Sequence, residues 1–430
     1  MKVVHIALSN DGGAGIAAYR LHTALRKAGV ASLMLVLYSK NDDPTVNIIN
    51  TTTRPCLTTG PGISPHFYTH EQHTRCLLEQ HPQRNQKRDM FTGATSEVVL
   101  EDIAAIHDAD IINLHWVAGV VDYSRLSHIF KGKQTVLTLH AMNDFTGGCH
   151  NAYDCRSYTT ECCHCPQLGP HPFDHARHIF YQKLYGIQEL EITAVSPSRW
   201  LAGCAAQSRI LSGRRVLCIP NGIPSETFRP LESSAARDYF GIAPDRFIIL
   251  FGAFDATNER KGGALLAAAL GQLPVTVLDR ITLVGFGASS ETLVTSFPCD
   301  VKGLGPVCNE DNLALIYSMA DLFALPSMAD NLPNSILESL ACGTPVLAFR
   351  VGGIPEIVEH RRNGYLATPF NTGELAAGIV WCMENHKQLA GEPCTATIRY
   401  GYTDRIQALR YISLYQSLLD GLSTRQSRIR

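Results

Sequence analysis

Residues 326–349 read PSMADNLPNSILESLACGTPVLAF. Two carboxylates, Asp330 and Glu338, stand eight residues apart around an Asn-Leu-Pro-Asn turn, at the end of the apolar run ADLFALPS at 320–327. Asp330, with the amides of Asn331 and Leu332, falls at the C-terminal end of an expected strand, where open parallel sheets bind ligands. Pro333 suits the first turn of a helix that runs on through NSILESLACG. Glu338 shares a face of that helix with Asn334, and Ile336, Leu337 and Leu340 make the helix a largely buried one. A free carboxylate is costly in such a place, whereas a carboxylate can accept two hydrogen bonds from a ribose diol.

A second group is GAFDATNERKGGALLAAAL at 252–270. Arg260 and Lys261 open an expected helix, where cations oppose the helix dipole unless an anion sits among them. A phosphate would remove the conflict; a solvated charged turn is the plainer reading. A third group is SNDGGAGIAAYRLH, in which Gly12, Gly13 and Gly15 follow a strand and precede a helix. Glycines let backbone amides approach a phosphate at a helix N-terminus, and a tight turn also uses them. The GxGxxG spacing is absent, and no acid closes a ribose site about 20 residues on, which disfavours a dinucleotide dehydrogenase.

Cys149, Cys155, Cys162 and Cys165 make C-x5-C-x6-C-x2-C, with Cys163, His150 and His164 alongside. In a reducing compartment this pattern reads as a structural zinc site, closed to catalysis. Disulfides and free thiols are the alternatives. His115 in NLHW and His140 in LTLH each end an apolar run, a placement that favours a cleft over a core.

The elements that must position these groups repeat. Short apolar runs at 3–8, 32–38, 109–116, 134–140, 191–197 and 214–222 alternate with helical patterns such as AAYRLHTALRKAG at 17–29. The alternation restarts after a polar stretch at 224–245, with runs at 246–254, 280–287, 320–327 and 344–349. Strand, helix, strand at this spacing means βαβ units and parallel sheets, and 430 residues exceed one core. The expectation is α/β: an N-terminal domain over 1–215 with a Cys-rich insertion at 147–168, and a C-terminal domain over 216–400. An amphipathic helix in 401–430 is expected to pack back on the N-terminal domain. Residues 40–95 show no clean period and read as a long loop or variable subdomain.

The net charge of −2 supplies no basic field for nucleic acid. The start, MKVVHIALSNDGGAG, is too short in apolar residues for a signal peptide, and no run approaches the ~18–20 apolar residues of a membrane span. A cytoplasmic protein is expected.

With these residues in place, the chain resembles the family 4 retaining glycosyltransferases. The resemblance rests on GGAGIAAYRLH, IPNGI at 219–223, ERKGG, and DNLPNSILESLACGTPVLAFRVGGIPEIV at 330–358. The stretch TGGCHNAYDCRSYTTECCHCPQL is similar to a subgroup that builds colanic-acid-like, capsular and other exopolysaccharides. The resemblance implies a GT-B fold, two Rossmann-like parallel-sheet domains facing across a cleft. It implies transfer of a sugar from a UDP- or GDP-sugar to a glycan or lipid-linked acceptor, with peripheral contact at the inner face of the plasma membrane. No cofactor is implied for catalysis, since protein cations take the place of a metal.

By position, Glu338 would hold the donor ribose, and Asp330 with the backbone of Asn331 and Leu332 the sugar hydroxyls. Lys261 and Arg260 would stabilise the departing diphosphate, Gly13 and Gly15 would approach phosphates, Asn221 would serve donor binding, and His140 would sit at the reacting face. Three residues depart from the family pattern: Asp330 where Glu is usual, Ala253 where many members carry a cation, and Ala141 where the subgroup has Asp. Two other readings stand beside this one: a nucleotide-sugar epimerase or hydrolase, and an inactive nucleotide-binding scaffold.

Overall fold

Runs of Val, Ile, Leu and Phe bounded by Gly, Asn and Pro form two parallel sheets in a computed structural model that describes residues 1–50, 62–85, 90–307 and 309–429. The chain divides into one unit of 1–220 with 405–430 and a second of 221–404.

In the first unit, β1 (Lys2–Ser9), β2 (Ala31–Tyr38), β3 (Val46–Ile48), β4 (Ile111–His115), β5 (Gln134–Thr138), β6 (Ile192–Ser196) and β7 (Arg215–Cys218) make a seven-stranded sheet ordered β3-β2-β1-β4-β5-β6-β7. All of its pairings are parallel. Strands β4, β5 and β6 are buried along their whole length, which is why they read as continuous apolar runs rather than alternating ones. The order reverses between β1 and β4, so the loops leaving these two strands flank a topological switch point.

The second unit repeats the plan. There β8 (Phe247–Asp255), β9 (Ile281–Ala288), β10 (Asp300–Gly303), β11 (Leu322–Leu325), β12 (Val346–Phe349) and β13 (Gly364–Ala367) form a parallel six-stranded sheet ordered β10-β9-β8-β11-β12-β13. Its switch point lies between β8 and β11. The register sets Leu322 beside Ile249 and Phe323 beside Leu250, and the loops that follow are those carrying Lys261 and Asp330.

The helix Asp404–Ile429 belongs to the first unit. Tyr411 and Tyr415 are fully buried, and their hydroxyls meet the sheet: Asn113 Nδ2 donates to Tyr415 Oη at 2.7 Å, and Thr138 Oγ1 lies 3.1 Å from Tyr411 Oη. Within the second unit, its first and last residues run side by side. Ile223 N donates to Tyr402 O at 2.8 Å and Asp404 N to Ile223 O at 3.0 Å.

The stretch 40–95, expected as a long loop or variable subdomain, is not a plain loop: it holds β3 and the helix Pro65–Glu79, capped by the Ser64 hydroxyl with Pro65 in its first turn. Within that helix His66 is the buried side chain, so no apolar stripe betrays it. Residues 51–61 and 86–89 of this stretch lie outside the described residues.

Candidate functional site

The switch point of the second unit gathers Arg260, Lys261, Asp330, Asn331 and Leu332 among the residues singled out from sequence. After β8 the chain makes a 3-10 turn, Glu259–Lys261, started by the Asn258 side chain, and enters the helix Gly263–Leu270. Gly262 joins the two with φ +80°, and a Cβ there would stand 2.0 Å from Pro326 O. Only glycine allows the turn to lie this close to the loop after β11. A backbone bond and a side-chain bond lock the two together: Met328 N donates to Arg260 O at 2.8 Å, and Arg260 Nη1 donates to Ala329 O at 2.9 Å.

This contact brings two cations to one carboxylate. Lys261 Nζ is 2.6 Å and Arg260 Nη1 3.3 Å from Asp330 Oδ2, which also accepts from Ser327 Oγ at 3.3 Å. Asp330 Oδ1 accepts from Asn331 N at 3.1 Å. Burial pushes the Asp330 carboxyl up, but the Lys261 charge and then the Arg260 charge outweigh it and hold the group below the usual carboxylate range. The anion demanded by two cations beside a helix start is thus present in the chain itself. Oδ1 keeps acceptor capacity that a hydroxyl can use.

The helix after Asp330 runs Asn334–Ala341, with Pro333 one position ahead of its first turn rather than inside it. Asn331 and Leu332 are buried, and Gly353 N donates to Asn331 O at 2.8 Å. Asn334 Oδ1 accepts from Asn221 Nδ2 at 3.0 Å, which fixes the IPNG loop on the helix start. One turn on, Glu338 is 6% exposed, and its Oε2 accepts from Tyr317 Oη at 3.0 Å. Tyr317, from the helix Glu310–Met319, is a partner that sequence reasoning missed. It stands in an ordinary apolar helical pattern, and its hydroxyl gives no sequence signal.

In the first unit, the glycine loop enters the helix Gly12–Lys27 directly. Gly15 packs so closely that a Cβ would lie 2.5 Å from Ser9 O, whereas a Cβ on Gly13 would meet nothing within 4 Å. Gly15 is therefore required by packing, and Gly13 has room for a ligand.

His140 follows β5, and the sheet order β1-β4-β5 sets it in a row of imidazoles. His140 Nε2 is 3.0 Å from His115 Nδ1, and His115 Nε2 is 2.9 Å from His5 Nδ1. His115 is 1% exposed and His5 fully buried, so His115 is a core residue rather than a cleft wall. Burial, then neighbouring imidazoles, hold His5 and His115 well below the usual histidine range, and burial alone takes His140 to about 4. The row is neutral at pH 7, with one proton at each junction. His5 Nε2 is buried without a partner among the described residues. An orphaned N–H is the rarer and costlier arrangement, so the protons point from His5 toward His140. His140 Nε2 then accepts, and its proton sits on Nδ1. His5 is the residue that sequence reasoning missed, although a polar side chain in the middle of VVHIAL is a visible signal.

Cys149, Cys155, Cys162 and Cys165 of the Cys-rich insertion are electrostatic neighbours. Burial, then Cys165, pushes the Cys149 thiol up to about 12; burial, then Cys149, raises Cys162 as well. Among the described residues, no three of these sulfurs close to within 4.8 Å of one another. Buried Lys183 stands beside Cys149 and Cys162 and donates to Asn143 O at 2.6 Å.

Residues 245–385 match the family model described as glycosyl transferases group 1. The D-inositol 3-phosphate glycosyltransferase of Mycobacteroides abscessus is 31% identical over 172 residues, 38% of either chain. A D-inositol 3-phosphate glycosyltransferase of Catenulispora acidiphila is 28% identical over 225 residues, 48% of this chain and 53% of the relative. The chain thus spans between about two fifths and one half of these curated relatives. Among solved structures, sucrose-phosphate synthase from Thermosynechococcus elongatus superposes with a TM-score of 0.67 at 20% identity, covering 98% of this chain and all of that one. Anabaena HepE, solved with UDP and glucose, gives 0.61 at 18% identity over 98% of this chain and 99% of its own. The architecture is that of GT-B glycosyltransferases, two parallel-sheet α/β units.

Proposed function

Since residues 245–385 carry a group 1 glycosyltransferase segment, we propose that the chain is a retaining glycosyltransferase. It moves a sugar from a nucleoside-diphosphate sugar to a glycan or lipid-linked acceptor in cell-surface polysaccharide synthesis. The observation that supports this best is the meeting of Lys261 and Arg260 on Asp330 at the switch point of the second unit, in the same unit as a buried Glu338.

The roles follow from the chemistry of each group. Glu338, held by Tyr317 through Oε2, accepts from the ribose hydroxyls. Asp330 Oδ1 and the Asn331 and Leu332 backbone receive the sugar hydroxyls, and Asn221 steadies the helix start. Lys261 and Arg260 neutralise the diphosphate as its bond to the anomeric carbon breaks, the electrostatic route to a lower barrier. The acceptor oxygen bonds to the same face of that carbon, and its proton passes to the departing phosphate oxygen, so configuration is retained. In the first unit, Gly13 and the close turn that Gly15 permits would approach phosphate, and His140 would serve the reacting face. A zinc ion bound by Cys149, Cys155, Cys162 and Cys165 would stiffen the insertion without entering the chemistry. No helix among the described residues is long and apolar enough to cross a membrane; peripheral contact would suffice to meet a lipid-linked acceptor.

HepE, a structural neighbour, is solved with UDP-glucose, which makes uridine nucleotides the first donors to test. The test is a melting panel of UDP, GDP, ADP and their sugars on the wild type and Glu338→Gln. A nucleotide at ~100 times its dissociation constant adds about 2.7 kcal/mol to folding stability. Stabilisation of the wild type by one base, lost in Glu338→Gln, is the expected result. A folded wild type that no nucleotide stabilises would overturn the reading.

A further inference from the structure

The first unit holds a histidine cluster that takes no part in sugar transfer. His81, His171 and His175 each turn one ligand atom to a common point, and these atoms all lie within 4.8 Å of one another. His81 Nε2 is 3.0 Å from His175 Nδ1. The ring centroids stand 4.7 Å (His81–His171), 5.0 Å (His81–His175) and 4.9 Å (His171–His175) apart. His81 is 2% exposed, while His171 and His175 are half-buried.

We propose that His81, His171 and His175 bind a divalent transition metal of the zinc type, with a coordination position left open on the side of His171 and His175.

Geometry carries the assignment. Zinc–nitrogen bonds of about 2.0–2.1 Å in a tetrahedral site put ligand nitrogens about 3.3 Å apart, so the present spacing needs only a small adjustment to close on an ion. Three neutral imidazoles suit zinc, nickel or copper and not the hard cations magnesium and calcium. The Phe173 backbone holds the ring of His171. Its Nδ1 lies 2.9 Å from Phe173 O, to which Nδ1–H donates in one tautomer, and 3.1 Å from Phe173 N, which donates to Nδ1 in the other. When Nδ1–H donates to that carbonyl, Nε2 carries a lone pair, the arrangement in which a backbone carbonyl orients a metal-bound histidine. His175 is equally well placed: it opens the helix His175–Gln188, whose start is fixed by Asp174 Oδ1 accepting from Arg177 N at 3.0 Å.

Hydrogen bonding alone serves this cluster poorly. One proton can lie between His81 Nε2 and His175 Nδ1, but the third nitrogen then has no complementary group within the cluster. A metal satisfies all three lone pairs at once. The ion would also tie the chain just after the Pro65–Glu79 helix to the start of the helix His175–Gln188, since His81 follows the first helix by two residues and His175 lies 94 residues further along the chain. Such a staple closes a long loop and is independent of the transferase reading.

The test is titration of the demetallated protein with Co2+, followed by visible and near-ultraviolet absorption, and then displacement by Zn2+. The expected spectrum includes a nitrogen-ligated cobalt site without thiolate-to-cobalt charge transfer. His175→Gln should weaken that site about 100-fold or more, above the cost of losing an outer-shell partner. A quadruple Cys→Ser variant at 149, 155, 162 and 165 should leave it unchanged. His171→Ala, at a half-buried position, serves as a second variant, with circular dichroism confirming the fold. The proposal is overturned if the folded wild type takes up no cobalt. It also falls if the bound cobalt shows only thiolate charge transfer and ignores both histidine substitutions.

Discussion

Lys261 Nζ and Asp330 Oδ2 stand 2.6 Å apart, joining the two loops of one switch point across 69 residues of chain. All three members of the group are less than 20% exposed in their side chains. Removing the anion from such a set leaves two poorly compensated cations, at a cost on the order of 3 kcal/mol. Asp330→Asn should therefore lower the urea midpoint of unfolding, while Asp330→Glu, which keeps the charge, should retain most of the stability. Lys261→Ala should reduce kcat/KM for release of nucleoside diphosphate about 100- to 1,000-fold, the scale of one lost electrostatic donor. Unchanged kcat/KM in Lys261→Ala would show that the lysine only holds Asp330.

Glu338 and Tyr317 give a separable second case. Tyr317→Phe removes a hydroxyl donor from a buried carboxylate, at a cost of about 1–3 kcal/mol. If Tyr317 orients Glu338 toward a ribose, the variant should also bind nucleotide about tenfold more weakly, a change of about 1.4 kcal/mol, with little change in kcat. Calorimetry of nucleotide binding at a temperature where both proteins are folded makes the comparison. A loss of stability with unaltered affinity would remove Glu338 from the nucleotide site.

The glycines of the first unit distinguish folding from binding. Gly15→Ala would drive a Cβ to 2.5 Å from Ser9 O, and overpacking of this kind costs about 1–3 kcal/mol. Gly13→Ala meets nothing within 4 Å and lies in a helix, where alanine is favoured over glycine by roughly 0.5–1 kcal/mol. Gly13→Ala should leave the melting temperature unchanged or slightly raised. It should nonetheless reduce the thermal shift given by a nucleoside diphosphate if that amide approaches phosphate. Equal nucleotide shifts in Gly13→Ala and the wild type would confine the loop to a structural role.

How much of this was legible beforehand depends on the range of the interaction. Both sheets were readable, because strands buried on two faces are written as unbroken apolar runs and their spacing demands parallel crossovers. The positions of Asp330, Lys261 and Glu338 at or after strand ends followed from the same pattern. Their partners did not. That Asp330 is the anion facing Arg260 and Lys261 depends on β8 and β11 being neighbours, an order that sequence spacing alone does not fix. Tyr317 was hidden for a related reason, being one polar atom on an apolar face; His5 was visible as a polar residue in an apolar run, but its partner His115 lies on another strand. The Pro65–Glu79 helix escaped because its residues, rich in histidine and threonine, carry no stripe of the helical period.

The buried histidines make folding stability depend on pH in a window that Asp330 does not share. His22 is fully buried, with Nδ1 2.8 Å from Ser32 Oγ and Nε2 2.9 Å from Thr45 Oγ1. Burial holds it at about 4; the Asp43 charge opposes the shift and Arg26 adds to it. In the unfolded chain a histidine titrates near 6.5, so between about 6.5 and 4 the unfolded state binds the extra proton. The stability that His22 contributes is therefore complete above about pH 6.5 and is lost as the pH falls toward 4. The loss is about 2 kcal/mol by pH 5, and His5, His115 and His140 act in the same direction. Asp330, depressed by its two cations, contributes above the unfolded carboxylate value of about 3.9 and is lost only below it. Urea unfolding at about pH 7.5, 6 and 5 should show a steep decline, and His22→Gln should flatten it while lowering stability at about pH 7.5. An equal decline in the variant would place the acid sensitivity elsewhere.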